Sequence, residues 1–217
     1  MTDLNLDSIW ALIWRAIALR PEVFHQIQLY PHGERVALVV VLAAGLSQAL
    51  GQSIILFVNR VKPFRFVLSL LLASLLFAIS YLFWVESTWT VYQTIFRQDI
   101  SPFDLARTLG LAYAPQLLEV LVALPYFGVP ISILLSIWSF LAFLVGMTST
   151  LNLTVGQAAT CGLLGWVVLQ VLQRTIGRPI AAFGRWLSNT TAGVSLITNL
   201  RDLEKMVEER MSDRSPL

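Results

Sequence analysis

Chemistry-bearing residues are scarce in this chain: it has one cysteine, Cys161, and two histidines, His25 and His32. A lone cysteine forms no internal disulfide, and neither a zinc site nor a redox pair can be built from it. The two histidines stand apart, so no metal-ligand cluster is expected. No GxSxG, HExxH or phosphate-cradling glycine loop occurs, and no nucleophile–base set can be assembled. The sequence therefore gives no reason to expect an enzyme or a bound cofactor. The N-terminus also lacks the pattern of a cleaved signal: Asp3 and Asp7 stand where a basic start belongs.

Charge is the other shortage. Charged residues make up 13% of the chain, against about 25% in ordinary soluble domains. From residue 120 to residue 173 there is no Asp, Glu, Lys, Arg or His, a run of fifty-four positions. As one helix rising ~1.5 Å per residue it would measure ~80 Å, against a hydrocarbon core ~30 Å thick. Such a run crosses a bilayer more than once. Apolar residues form 56% of the sequence, and mean hydropathy is +0.71. Seven Trp and twelve Phe suit the same solvent, because aromatic rings settle at the headgroup boundary. A net charge of +2 is too small to point to nucleic acid.

The fold class implied is an all-α polytopic membrane protein. Five spans are expected, at about 36–59, 66–85, 108–124, 130–147 and 156–173, or four if 108–124 is re-entrant. Charged residues mark the ends: Arg35 and Arg60 bound the first span, Arg65 and Glu86 the second. A polar stretch at 86–107 follows, in which Ser101-Pro102-Phe103-Asp104 reads as a capped helix start. Pro125, Gly128 and Pro130 mark a turn, and residues 147–156 a polar link. Residues 1–35 then form an N-terminal interfacial unit, with 7–19 too short to cross and Arg15 reaching to headgroups. Residues 36–174 form the membrane domain. Residues 175–217 hold a second interfacial segment and a soluble amphipathic helix. That helix places Leu196, Leu200, Leu203 and Val207 on one face, a candidate surface for a partner.

Five spans put the ends on opposite sides. The N-terminal side carries Arg15, Arg20, Arg35, Arg97 and Arg107, and the other side the remaining ten of fifteen Lys and Arg. By the positive-inside rule the C-terminal tail is cytoplasmic.

Inside the expected spans, Glu119 is the only formal charge between Arg107 and Arg174. A membrane carboxylate is costly enough to mark a candidate site. With Gln116 it forms a polar stripe on its helix, and Gln48 and Gln52 form another on the first span. Either stripe could line a path for a substrate or simply be satisfied by neighbouring helices. Ala43, Ser47 and Gly51 have the small-residue spacing that lets helices approach closely.

From Arg107 to Ala159 the chain resembles the Yip family, membrane proteins that interact with Ypt/Rab GTPases. The resemblance lies in Arg107-Thr108-Leu109-Gly110-Leu111-Ala112-Tyr113-Ala114-Pro115, the Pro125 to Gly128 turn, Ile137-Trp138, Gly146-Met147 and Thr154 to Ala158. The five-span count, the polar segment before Arg107 and Pro21-Glu22-Val23-Phe24 extend it to roughly residues 9–174. The interfacial segments at both ends and the partner-seeking helix at 196–211 point to a non-enzymatic protein that organises membranes or scaffolds a membrane complex. The eukaryotic family meets small GTPases through a cytosolic N-terminal region. Here the N-terminus is short and apolar and the orientation is reversed, which argues against GTPase binding and for a bacterial-type member. Expected partners are the lipid bilayer and a membrane protein or a second copy of the chain. The alternative is a small transporter or channel using a path around Glu119.

Overall fold

A helix ends where backbone chemistry ends it, and charge alone does not. Between Pro63 and Pro102 the sequence contains neither proline nor glycine, and one helix runs through most of it. The computed structural model describes residues 6–52, 63–97, 100–124 and 126–175. Its helices are α1 (Leu6–Ile17), α2 (Pro21–Leu29), α3 (Gly33–Gln52), α4 (Pro63–Phe96), α5 (Pro102–Ala112), α6 (Gly128–Leu151) and α7 (Val155–Thr175). A 3-10 helix, Ala114–Ala123, separates α5 from α6. No strand occurs among the described residues. Residues 177–187 and the helix expected at 196–211 lie outside them, as does 53–59 of the first expected span.

Among the described residues three helices are long and apolar enough to cross a bilayer: α3, α4 over Phe66–Phe96, and α6. Val155–Val171 of α7 is a shorter apolar helix. The expected boundaries shift in three places. α4 does not stop at Glu86 but continues ten residues further, to Phe96. Glu86 faces outward, and the hydroxyls of Thr90 and Thr94 bond back to the Glu86 and Thr90 carbonyls at 2.9 and 2.7 Å. Polar side chains satisfied this way do not interrupt a helix. Likewise α6 runs past Met147 to Leu151, so the link to α7 shrinks to Asn152–Thr154. Asn152 ends α6 in the left-handed conformation at φ 53°, which asparagine tolerates. Thr154 and Gln157 then form a reciprocal capping box at the start of α7.

The third difference is structural. The expected span at 108–124 is a regular helix only to Ala112. Ser101 caps its start as the spacing implies, accepting from the Phe103 amide at 3.3 Å. Pro115 breaks its end, since an α-helix there would drive the ring into the Leu111 carbonyl and lose a hydrogen bond. The chain answers with ten residues of 3-10 helix, where runs beyond 3–4 residues are uncommon. Tyr113 sits at the break, its ring edge-on to Phe77, Tyr81 and Trp84 at 5.4–5.8 Å.

α3 is the hub. It runs parallel to α5 and the 3-10 helix: Gly33 lies by Arg107, Ala37 by Gly110, and Gly51 by Glu119. α4 runs antiparallel to α3, with Gly45 against Phe77 and Tyr81 near Gly110. α6 is antiparallel to the 3-10 segment, pairing Gly146 with Thr108 and Ser132 with Glu119. α7 folds back along α6 and packs on α4, where Gly165 meets Thr88. The outward faces are apolar: Leu71, Leu75 and Leu82 of α4, Ile133 and Ile137 of α6, Leu163 and Trp166 of α7 are all exposed. Contiguous apolar surface of that extent suits lipid rather than water.

Candidate functional site

Glu119 lies in the 3-10 helix, 7% exposed. Its placement follows from two small residues one helical turn apart on α3. Gly51 lets the Glu119 carbonyl approach so closely that a Cβ there would lie 2.5 Å from its oxygen. Ser47 donates its hydroxyl to the Leu117 carbonyl at 2.7 Å and accepts from the Val120 amide at 2.9 Å. Those two backbone groups are the pair that a 3-10 turn joins directly. The hydroxyl thus stitches α3 into the ladder of the neighbouring element, directly around Glu119. From the other side Ser132 of α6 donates to Glu119 Oε1 at 3.0 Å.

Gln116, one 3-10 turn before Glu119, opens onto a cavity of about 170 Å³. Trp84 and Tyr113 wall it on one side, and Ser136, Ser139 and Phe140 of α6 on the other. The Ser139 hydroxyl is buried with no hydrogen-bond partner among the described residues. Glu119 and Gln116 therefore share one polar seam with Ser132, Ser136 and Ser139. Gln48 and Gln52 do not join it. α3 turns Ser47 toward the 3-10 helix, and a step of ~100° per residue carries Gln48 off that contact. Gln52 is exposed, and no hydrogen bond among the described residues links either glutamine to Glu119.

The serines of α6 are what sequence reasoning missed. Ser132, Ser136 and Ser139 recur at i, i+4 and i+7, one face of a helix, and could have been read from that spacing. Ser47 stood out as a small residue at a close helix approach, but its hydrogen bonds could not be read, because their partners lie seventy residues away. Replacing Ser47 by alanine is expected to cost about 1–2 kcal/mol, measured as unfolding free energy in mild detergent. A variant as stable as the parent would show that the 3-10 ladder closes without the hydroxyl.

A second polar cluster lies at the opposite end of the α3–α5 contact. Arg107 Nη2 meets Glu34 Oε2 at 2.8 Å, and Nη1 donates to the Gln28 carbonyl at 3.0 Å. Gln28 Nε2 in turn donates to the Asp104 carbonyl at 2.8 Å and to Thr108 Oγ1 at 2.9 Å. Asp104 Oδ1 and His32 Nδ1 complete the group at 3.7 and 3.8 Å from Arg107 and Glu34. This cluster ties α2, α3 and α5 together.

Cys161 is buried on α7, its thiol 3.7 Å from the Thr88 carbonyl. No group of three metal-ligating side chains occurs among the described residues. Leu196, Leu200, Leu203 and Val207 lie outside those residues. Compared with family models, curated proteins and solved structures, the chain matches none.

Proposed function

We propose that this chain is a five-pass, Yip-like membrane protein that organises the bilayer or scaffolds a membrane complex, with its C-terminal tail in the cytoplasm. One observation supports this reading over a conduit: three polar side chains between its helices bond to its own backbone. Ser47 holds the 3-10 helix, Ser74 donates to the Leu42 carbonyl at 2.7 Å, and Tyr81 donates to the Ala106 carbonyl. Groups fixed in this way stabilise a rigid platform and are not free to hand a substrate along. The alternating directions of α3, α4, α5 with the 3-10 helix, α6 and α7 support five passes. The α5 and 3-10 pieces together reach ~35 Å at their respective rises, enough for a bilayer. The proposal is tested by purifying the protein in mild detergent with and without residues 190–217. Full-length protein should retain a protein partner that the truncated form loses. If neither form retains one, and deletion leaves membrane shape unchanged, the scaffold reading fails.

The cavity beside Gln116 favours a second reading, a small transporter or channel. It has an unpartnered Ser139 hydroxyl and lies along the same seam as Glu119. Reconstituted vesicles should then show a flux that Glu119→Gln abolishes. Absence of flux across a broad substrate panel would leave the scaffold reading alone.

A further inference from the structure

The turn that closes α1 gathers two arginines. The Arg20 amide donates to the Arg15 carbonyl at 3.0 Å and the Leu19 amide to the Ala16 carbonyl at 3.0 Å, with Leu19 left-handed at φ 56°. This is the Schellman pattern of helix termination, with leucine where glycine is usual. Arg15 and Arg20 are both exposed, and no ion pair among the described residues engages either guanidinium. Glu22, the nearest carboxylate along the chain, is likewise exposed and outside any such pair.

Beside the turn lies an apolar groove of about 250 Å³, formed by Ile17, Ala18 and Leu19 against Leu134, Ile137 and Leu141. The α6 wall opens outward, with each of its three residues exposed. Trp138 ties the two walls together, its indole N–H donating to the Ile17 carbonyl at 2.9 Å. Trp138 stands ten residues after Gly128 and thirteen before Leu151, so α1 ends near mid-length of a helix that can cross the membrane. α2 then rises toward the Arg107 end, where Phe24 lies against Gly146 and Gln28 bonds Thr108. An unpaired guanidinium at that depth is costly in hydrocarbon. A long arginine side chain relieves such a cost by reaching toward the headgroup region, where the complementary group is phosphate.

We propose that the α1–α2 turn and α6 form a binding site for one anionic phospholipid. Arg15 and Arg20 hold its phosphate, and an acyl chain lies in the groove along Leu134 to Leu141. Two positive charges without a carboxylate between them favour a lipid of net negative charge, since a choline headgroup would bring a third cation to the site. The inference rests on the reading of the chain as a bilayer protein.

The test is native mass spectrometry of the full chain after reconstitution in mixed phosphatidylcholine and phosphatidylglycerol vesicles and extraction in mild detergent. The protein should retain one phosphatidylglycerol with a preference of roughly tenfold or more. The R15Q/R20Q variant should lose that preference and R15K/R20K should keep it. Ala18→Phe, which fills the groove but leaves the charges, should weaken retention of the lipid. Equal preference in R15Q/R20Q, or none in the parent protein, overturns the site. Displacement of the lipid by soluble glycerol phosphate overturns the acyl groove. Circular dichroism of each variant establishes that it remains helical. A chain that washes off vesicles in carbonate would count against the bilayer reading as well, whereas one that inserts without lipid preference counts against this site only.

Discussion

Replacing Gly51 by alanine is expected to destabilise the protein by about 3 kcal/mol, the upper range for overpacking a tight contact. The new Cβ would lie 2.5 Å from the Glu119 carbonyl oxygen and 3.4 Å from the Val120 Cα. Both are backbone atoms, so no side-chain rotation relieves the clash. α3 and the 3-10 helix must separate, which stretches both Ser47 bonds and carries Glu119 away from Ser132. Thermal unfolding in mild detergent measures the effect. Gly156→Ala is the matched control, because a Cβ there meets nothing within 4 Å. It should stabilise the protein by up to about 1 kcal/mol through helix propensity. If the two variants unfold together, the close approach of α3 to the 3-10 helix is wrong.

Removal of the Arg107 guanidinium by Arg107→Leu should cost about 2–3 kcal/mol. Exposed ion pairs contribute about 0–1 kcal/mol, whereas breaking a buried pair costs about 3–5. Arg107 falls between them, with its side chain 20% exposed and that of Glu34 36% exposed. The loss goes beyond one ion pair, since the Gln28 carbonyl loses its donor and α2 loses a tie to α5. Arg107→Lys should recover less than half the loss, because an ammonium cannot reproduce the two-pronged geometry. The decisive measurement is a double-mutant cycle with Glu34→Gln in chemical unfolding. A measurable positive coupling is expected, and additivity would show that Arg107 acts through packing alone.

Some of this architecture is plain in the residues and some is not. Ser101-Pro102 places the start of α5, and the absence of proline and glycine from 64 to 101 explains the length of α4. Treating Glu86 as a boundary overlooked that a helix tolerates one outward charge. Pro115 is visible in the sequence, but the response of the chain to it is not. Whether a proline kinks a helix, ends it or converts it to 3-10 geometry depends on what can satisfy the freed backbone groups. Here a serine on another helix does so.

By itself the sequence pointed to hydrocarbon as the solvent. Fifty-four uncharged positions suit hydrocarbon better than water, and there backbone groups must be satisfied within helices or across a closed barrel. The length of the apolar stretches then points to helices, since a helical span needs about 20 residues and a barrel strand only about 10. It also singled out Glu119, because a lone carboxylate in such a stretch stands out. Tertiary structure decided which residues Glu119 meets. A helix surrounded by lipid and other helices is apolar nearly all round, so periodicity does not reveal which face turns inward. Ser47 rather than Gln48 faces the 3-10 helix because Gly51, one turn on, permits backbone contact there. That choice depends on atoms seventy residues apart in sequence and less than 3 Å apart in space.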